Sequence, residues 1–141
     1  MTRLSLEQAN TVIKAAISKG RELGLKPLGI AVLDAGGHLI AFQRQDGATS
    51  LRLQIATGKA AGALGMGVSS RKIAEIAVER PTFVAALSGI APQGAVPAAG
   101  GVIVVDDRGA AIGAVGISGD LSDNDELCAL AGIAAAGLRA Q

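Results

Sequence analysis

Few residues in this chain could do chemistry, and they are mostly charged residues and glycines. The polar set Arg44, Asp46, Ser50 and Lys59 stands out. Arg44 and Asp46 close an apolar, strand-like stretch, while Lys59 interrupts a helical run of Ala and Gly. Two arrangements suit these residue types. They could form ion pairs tying a loop to a helix, or they could make a cationic wall for a carboxylate, with Asp46 moving a proton. Asp120 is placed like Asp46, beside glycine where a second apolar run ends in Ser118-Gly119-Asp120. Gly100 and Gly101 precede the run VIVV and either need glycine torsions or sit against a ligand or another chain. Strand ends and a helix start would bring Arg44, Asp46, Lys59, Gly100, Gly101 and Asp120 to one ligand-binding rim. In the structural variant of this expectation, Lys59 pairs with Asp46 or Asp120.

The remaining candidates stand alone. His38 is the one histidine, and any Ser-His-Asp triad would have to use it. Its place after Gly36-Gly37 suits an ordinary turn residue, and also a metal ligand or proton carrier. Cys128 is the single cysteine. It reads as a small buried thiol or, in the first turns of a helix, as a nucleophile or ligand of lowered pKa. The acidic run Asp120, Asp123, Asp125 and Glu126 lacks the spacing of a calcium loop. Helix capping accounts for it, with Asp123 as the cap and Glu126 three residues on. The Gly-Gly pairs lack the spacing of a dinucleotide site.

The elements that must position these residues follow from periodicity. Ser5 and Gln8 have capping-box spacing, and apolar residues then recur at helical intervals to about Leu23. Leu28–Leu33 and His38–Arg44 are two strands around the turn Asp34-Ala35-Gly36-Gly37. Leu51–Met66 is a helix with Leu51, Ile55 and Leu64 on its apolar side. Ser69 or Ser70 caps a helix to Val78, and Pro81 starts another to Ser88. A loop follows, with room for a short strand before Pro97. Val102–Val105 and Ala110–Ile117 flank the turn Asp106–Gly109 as a second hairpin, and the last helix runs through Leu138. This order gives an α+β domain spanning 1–141. Its antiparallel sheet is flanked by the terminal helices on one face, with the middle helices at an edge or end.

Composition narrows the function. Half of the 141 residues are hydrophobic, yet there are two Phe and neither Tyr nor Trp. Such a core of small side chains requires close packing, and self-association would add burial. A net charge of +1 and scarce aromatics argue against nucleic acid as a partner. No apolar run reaches membrane-spanning length, and MTRLSLEQAN reads as a helix start, not a signal peptide. A soluble, cytoplasmic homo-oligomer is expected.

Four segments carry a family resemblance: VLDAGGHLIAFQRQDGA (Val32–Ala48), GKAAGAL (Gly58–Leu64), VPAAGGVIVVDDRGAAIGAVGISGD (Val96–Asp120) and NDELCALAGIAA (Asn124–Ala135). In this order they resemble the GlcG/HbpS-type family, also found as the C-terminal domain of PduO-type cobalamin adenosyltransferases. Gln45 stands where family members often have Met. The resemblance implies a profilin/PAS-like sheet-and-helix fold, self-assembly, and binding of haem or another tetrapyrrole, with haem degradation often suggested. His38, Cys128, Met1 and Met66 are then the candidate axial ligands. Two alternatives remain open: an enzyme acting on a small carboxylate or aromatic catabolite, and a structural or accessory oligomer.

Overall fold

The computed structural model describes residues 3–141. Its sheet is built from two hairpins closed by the same side-chain device. In the first, Asp34 Oδ1 accepts hydrogen bonds from the amides of Gly36 and His38, both 2.9 Å. In the second, Asp106 Oδ1 accepts from Arg108 and Ala110, again at 2.9 Å. An aspartate that bonds its own turn in this way mimics a backbone turn and stops the strand. The hairpins are β1 (Gly29–Asp34) with β2 (Leu39–Arg44), and β3 (Gly101–Val105) with β4 (Ala111–Ser118). β1 pairs with β4 and joins them. A two-residue strand β5 (Arg139–Ala140) adds to β3, giving the antiparallel order β2-β1-β4-β3-β5. The α+β expectation holds, although the last helix stops earlier than expected and its tail supplies β5.

Helix α1 (Leu6–Glu22) starts at the Ser5–Gln8 capping box. It packs with α5 (Ser122–Ala135) on one sheet face, where Val12, Ile13, Ala129 and Ile133 meet Ile30, Val32, Val115 and Ile117. Helix α2 (Arg52–Met66) covers the other face instead of an edge. Helices α3 (Ser70–Glu79) and α4 (Pro81–Ile90) lie beyond it around Ile73, Val84, Leu87 and Ala95. Residues 91–100 contain no strand.

The fully buried side of α2 is not the expected Leu51, Ile55 and Leu64, although Leu64 packs half-buried against the sheet. It consists of Ala56, Gly58, Lys59, Ala60, Gly62 and Ala63, while Leu51 is exposed. Small residues let the helix backbone approach the strands. A Cβ on Gly116 would collide with the Ala56 carbonyl and lie 3.0 Å from Ala60 Cβ. A Cβ on Gly101 would collide with the Lys59 carbonyl and lie 2.8 Å from Ser70 Oγ. The Ala-Gly surface of α2 is thus used largely within the protomer. The obstructing atoms belong to a helix backbone and cannot swing aside. Gly101→Val or Gly116→Val is therefore expected to cost about 3 kcal/mol or more. Thermal unfolding should show a fall of roughly 10 °C, and an unchanged melting temperature would contradict the close-approach account.

Candidate functional site

Lys59 is 3% exposed and projects from α2 past the end of the sheet. Its Nζ donates to the Ile117 carbonyl at 2.8 Å and to Asp125 Oδ2 at 3.2 Å. Asp125, 1% exposed, accepts the Asp120 amide on its other oxygen at 3.0 Å. The carboxylate partner is therefore Asp125, neither Asp46 nor Asp120. Burial pulls the Lys59 pKa down and pushes that of Asp125 up, and their mutual attraction opposes both shifts. Gly100 makes room for the pair: at φ 127°, its Cβ would lie 2.7 Å from the Ile117 carbonyl and 2.9 Å from Lys59 Nζ. The cluster of Lys59, Gly100, Gly101 and the Asp120 loop does come together, but as a closed joint between α2, the sheet and α5.

The other acidic residues have their own partners. Asp123 accepts from Arg71 Nη2 at 2.6 Å, and Glu126 accepts from Arg71 Nε at 3.0 Å. This cross-link to α3 occupies the residues expected to cap α5, whose N-cap is Leu121. Asp120 accepts from the Lys26 amide, the Leu121 amide and Asn124 Nδ2. These bonds, led by Asn124, hold its pKa at about 2. Among the described residues no three His, Cys, Asp or Glu side chains gather as a metal site.

Arg44 and Asp46 do not join Lys59 in an ion pair. They line a separate recess of about 420 Å³ against α1. Cys128 is fully buried beside Gly20 and Leu28 in the core, where burial pushes its thiol up to about 11. That corrects the ligand expectation for Cys128: a protonated sulfur enclosed in the core has no open side for iron. Met1 lies outside the described residues. His38 has the opposite setting. Its side chain is 80% exposed, and Nδ1 lies 3.3 Å from Asp34 Oδ1, the atom that also closes the turn.

An open groove of about 420 Å³ lies against this same turn. Gly36 and Gly37 form one wall, Gly62, Gly65 and Met66 of α2 another, and Ile90 with the following loop a third. Its lining has no titratable side chain. Only the Gly-Gly turn and the Ala-Gly stretch hinted at this groove in the sequence. The contribution of Ile90 could not be read there, because it depends on where α4 docks.

The model of the family described as haem degrading protein HbpS-like matches residues 4–134. The chain belongs to the HbpS-like family. Solved structures agree. A PduOC:heme complex superposes with TM-score 0.86 at 24% identity, covering 98% of each chain. HbpS superposes with TM-score 0.81 at 29% identity, covering 95% of this chain and 90% of that one. The Klebsiella pneumoniae protein ORFY gives 0.85 at 25% identity, covering 97% and 93%. Among curated proteins, none matches the sequence.

Two tests of the joint and its loop follow. Lys59→Met leaves the Asp125 carboxylate buried without its cation and should cost about 3–5 kcal/mol in denaturant unfolding. Adding Asp125→Asn should recover much of the loss. Full stability of the single variant would contradict the ion-pair assignment. The depressed Asp120 pKa stabilises the fold above the ordinary value of 3.8, and this contribution is lost as pH falls through about 2. A carboxyl-carbon NMR titration of Asp120 should have its midpoint near 2, and a midpoint at the ordinary value would contradict the contacts described.

Proposed function

We propose that this protein binds haem or a closely related tetrapyrrole in the groove beside the Gly36–Gly37 turn, where Met66 in the wall and His38, exposed next to the same turn but outside the lining, are the residues that would hold it. The observation that carries this reading is Gly65. It is exposed, lies inside α2, and has no positive φ to require glycine. A Cβ there would meet nothing within 4 Å beyond its own turn of helix. Gly65 stands in the last turn of α2, and no other element of the protomer packs against it. A bare wall is what a broad, flat, apolar ligand needs.

Two donors stand at this end of the hairpin, Met66 in the lining and His38 outside it. Asp34 engages Nδ1 of His38, leaving Nε2 as the free nitrogen, and a carboxylate behind an imidazole fixes its orientation as a ligand. Met66 places a thioether in the groove wall. Bound haem would supply a redox-active iron, while the protein's part is to bind, orient and shield it. A lining without titratable groups favours binding over acid–base catalysis at this groove. Membership of the haem degrading protein HbpS-like family supports the same ligand. Self-assembly belongs to the proposal too, supported by Leu127 and Leu130, which remain exposed on α5.

Titration with ferric haem tests the reading. A saturable Soret change at equimolar haem is expected. His38→Ala should move the Soret maximum, and Gly65→Leu should weaken binding about tenfold or more without lowering the melting temperature. Parent-like titrations by both variants would overturn the proposal.

A further inference from the structure

Among the residues lining the groove beside Gly36–Gly37, Gln93 is the one whose side chain carries strong hydrogen-bonding groups. The rest are Gly, Ala, Leu, Ile, Pro and Met. Gln93 sits in a turn that its neighbours hold in place. Ala91 caps α4, its amide donating to the Leu87 carbonyl at 2.8 Å. The Gly94 amide closes back on the Ala91 carbonyl at 3.1 Å, with Pro92 in the second position of the turn and Gly94 at φ 85° in the fourth. Proline there presets the backbone angle, and glycine takes the left-handed one without strain. Beyond the turn, the Val96 amide donates to the Gly58 carbonyl at 3.3 Å. Ala95 packs so closely on α2 that a Cβ on Gly62 would lie 2.9 Å from its Cα. Gln93 itself is exposed, and among the described residues neither its backbone N–H nor its side-chain amide has a hydrogen-bond partner. The turn is thus pinned at both ends, while the two amide groups of Gln93 stay free at the edge of the groove.

We infer that Gln93 is the specificity-determining residue of this groove, donating to a carboxylate arm of the bound tetrapyrrole, an inference that rests on the haem reading. Leu64, Gly65 and Met66 suit a flat apolar ring but offer its carboxylates nothing. The lining holds no Lys, Arg or His, so an ion pair within it is excluded. A carboxylate drawn out of water needs donors in exchange. The Gly36 and Gly37 amides are already bonded to Asp34. The side-chain amide and backbone N–H of Gln93 can both donate to one carboxylate, and hydrogen bonds to a charged acceptor are the strong ones. An apolar pocket with a few placed polar groups fixes ligand orientation in this way. The groove therefore favours tetrapyrroles with free carboxylate arms over those whose arms are esterified. In the sequence, residues 89–101 give only a loop. The place of Gln93 depends on Gly58 and Gly62, which let that loop seat on α2.

Soret titrations of the full chain with ferric haem and with its dimethyl ester, both in the same dilute detergent, test this, because the ester masks the carboxylate arms. The parent should bind haem about tenfold or more tightly than the ester, the scale of hydrogen bonds to a charged group. Gln93→Leu should lose most of that preference by weakening haem, with its melting temperature and its binding of the ester at the parent's values. Gln93→Glu, which sets a like charge beside the carboxylate, should weaken haem further. Equal binding of haem and ester by the parent, or an undiminished preference in Gln93→Leu, would overturn the inference and leave the haem reading intact. No saturable Soret change with either porphyrin would overturn both.

Discussion

Helix α2 lies backbone to backbone against the sheet, with the Ala56 and Lys59 carbonyls over Gly116 and Gly101. That contact sets the position of much else. It holds Lys59 low enough for its ammonium group to pass Gly100 and reach Ile117 and Asp125, so one side chain links α2, β4 and α5. Burying a charge in this way is tolerable only because two acceptors receive it, and because Asp125 in turn holds the amide of Asp120. A chain with two Phe and no Tyr or Trp has little bulk to fill a wider gap between helix and sheet. Close approach replaces bulk.

The same closeness shapes both open sites. Because α2 is pressed onto the strands, its C-terminal half emerges next to the β1–β2 turn, and the open Gly65, beside a Gly62 packed on Ala95, becomes a wall of the groove that Gly36 and Gly37 also line. On the far face, α1 ends over the other end of that hairpin, leaving the recess that Arg21 and Arg44 line. One hairpin therefore carries an open groove at its turn and a recess at its exit. The turn itself is held by Asp34, whose carboxylate closes the loop and contacts the imidazole of His38.

Local features were legible in the sequence, and relations between elements were less so. The capping box at Ser5, both aspartate-closed turns and the two hairpins follow from short-range chemistry that later packing left intact. The side of α2 that is buried did not follow, because hydrophobic periodicity points to leucines whereas this interface selects for small size. Asp123 looked like a cap until α3 supplied Arg71 as its partner, and Asp125 as the partner of Lys59 depends on where α5 meets the sheet end. The expected rim of Arg44, Asp46, Lys59, Gly100, Gly101 and Asp120 divides across the two sheet faces. A strand end can serve either face, and the sequence does not say which.

The groove beside His38 is the centre of the functional account, and paramagnetic NMR tests its location most directly. Ferric haem added in substoichiometric amounts should broaden the amide signals of residues 35–38, 61–66 and 90–95, leaving those of α1 and α5 sharp. Broadening centred on α1 or α5, or none at all under conditions where haem is bound, would contradict it.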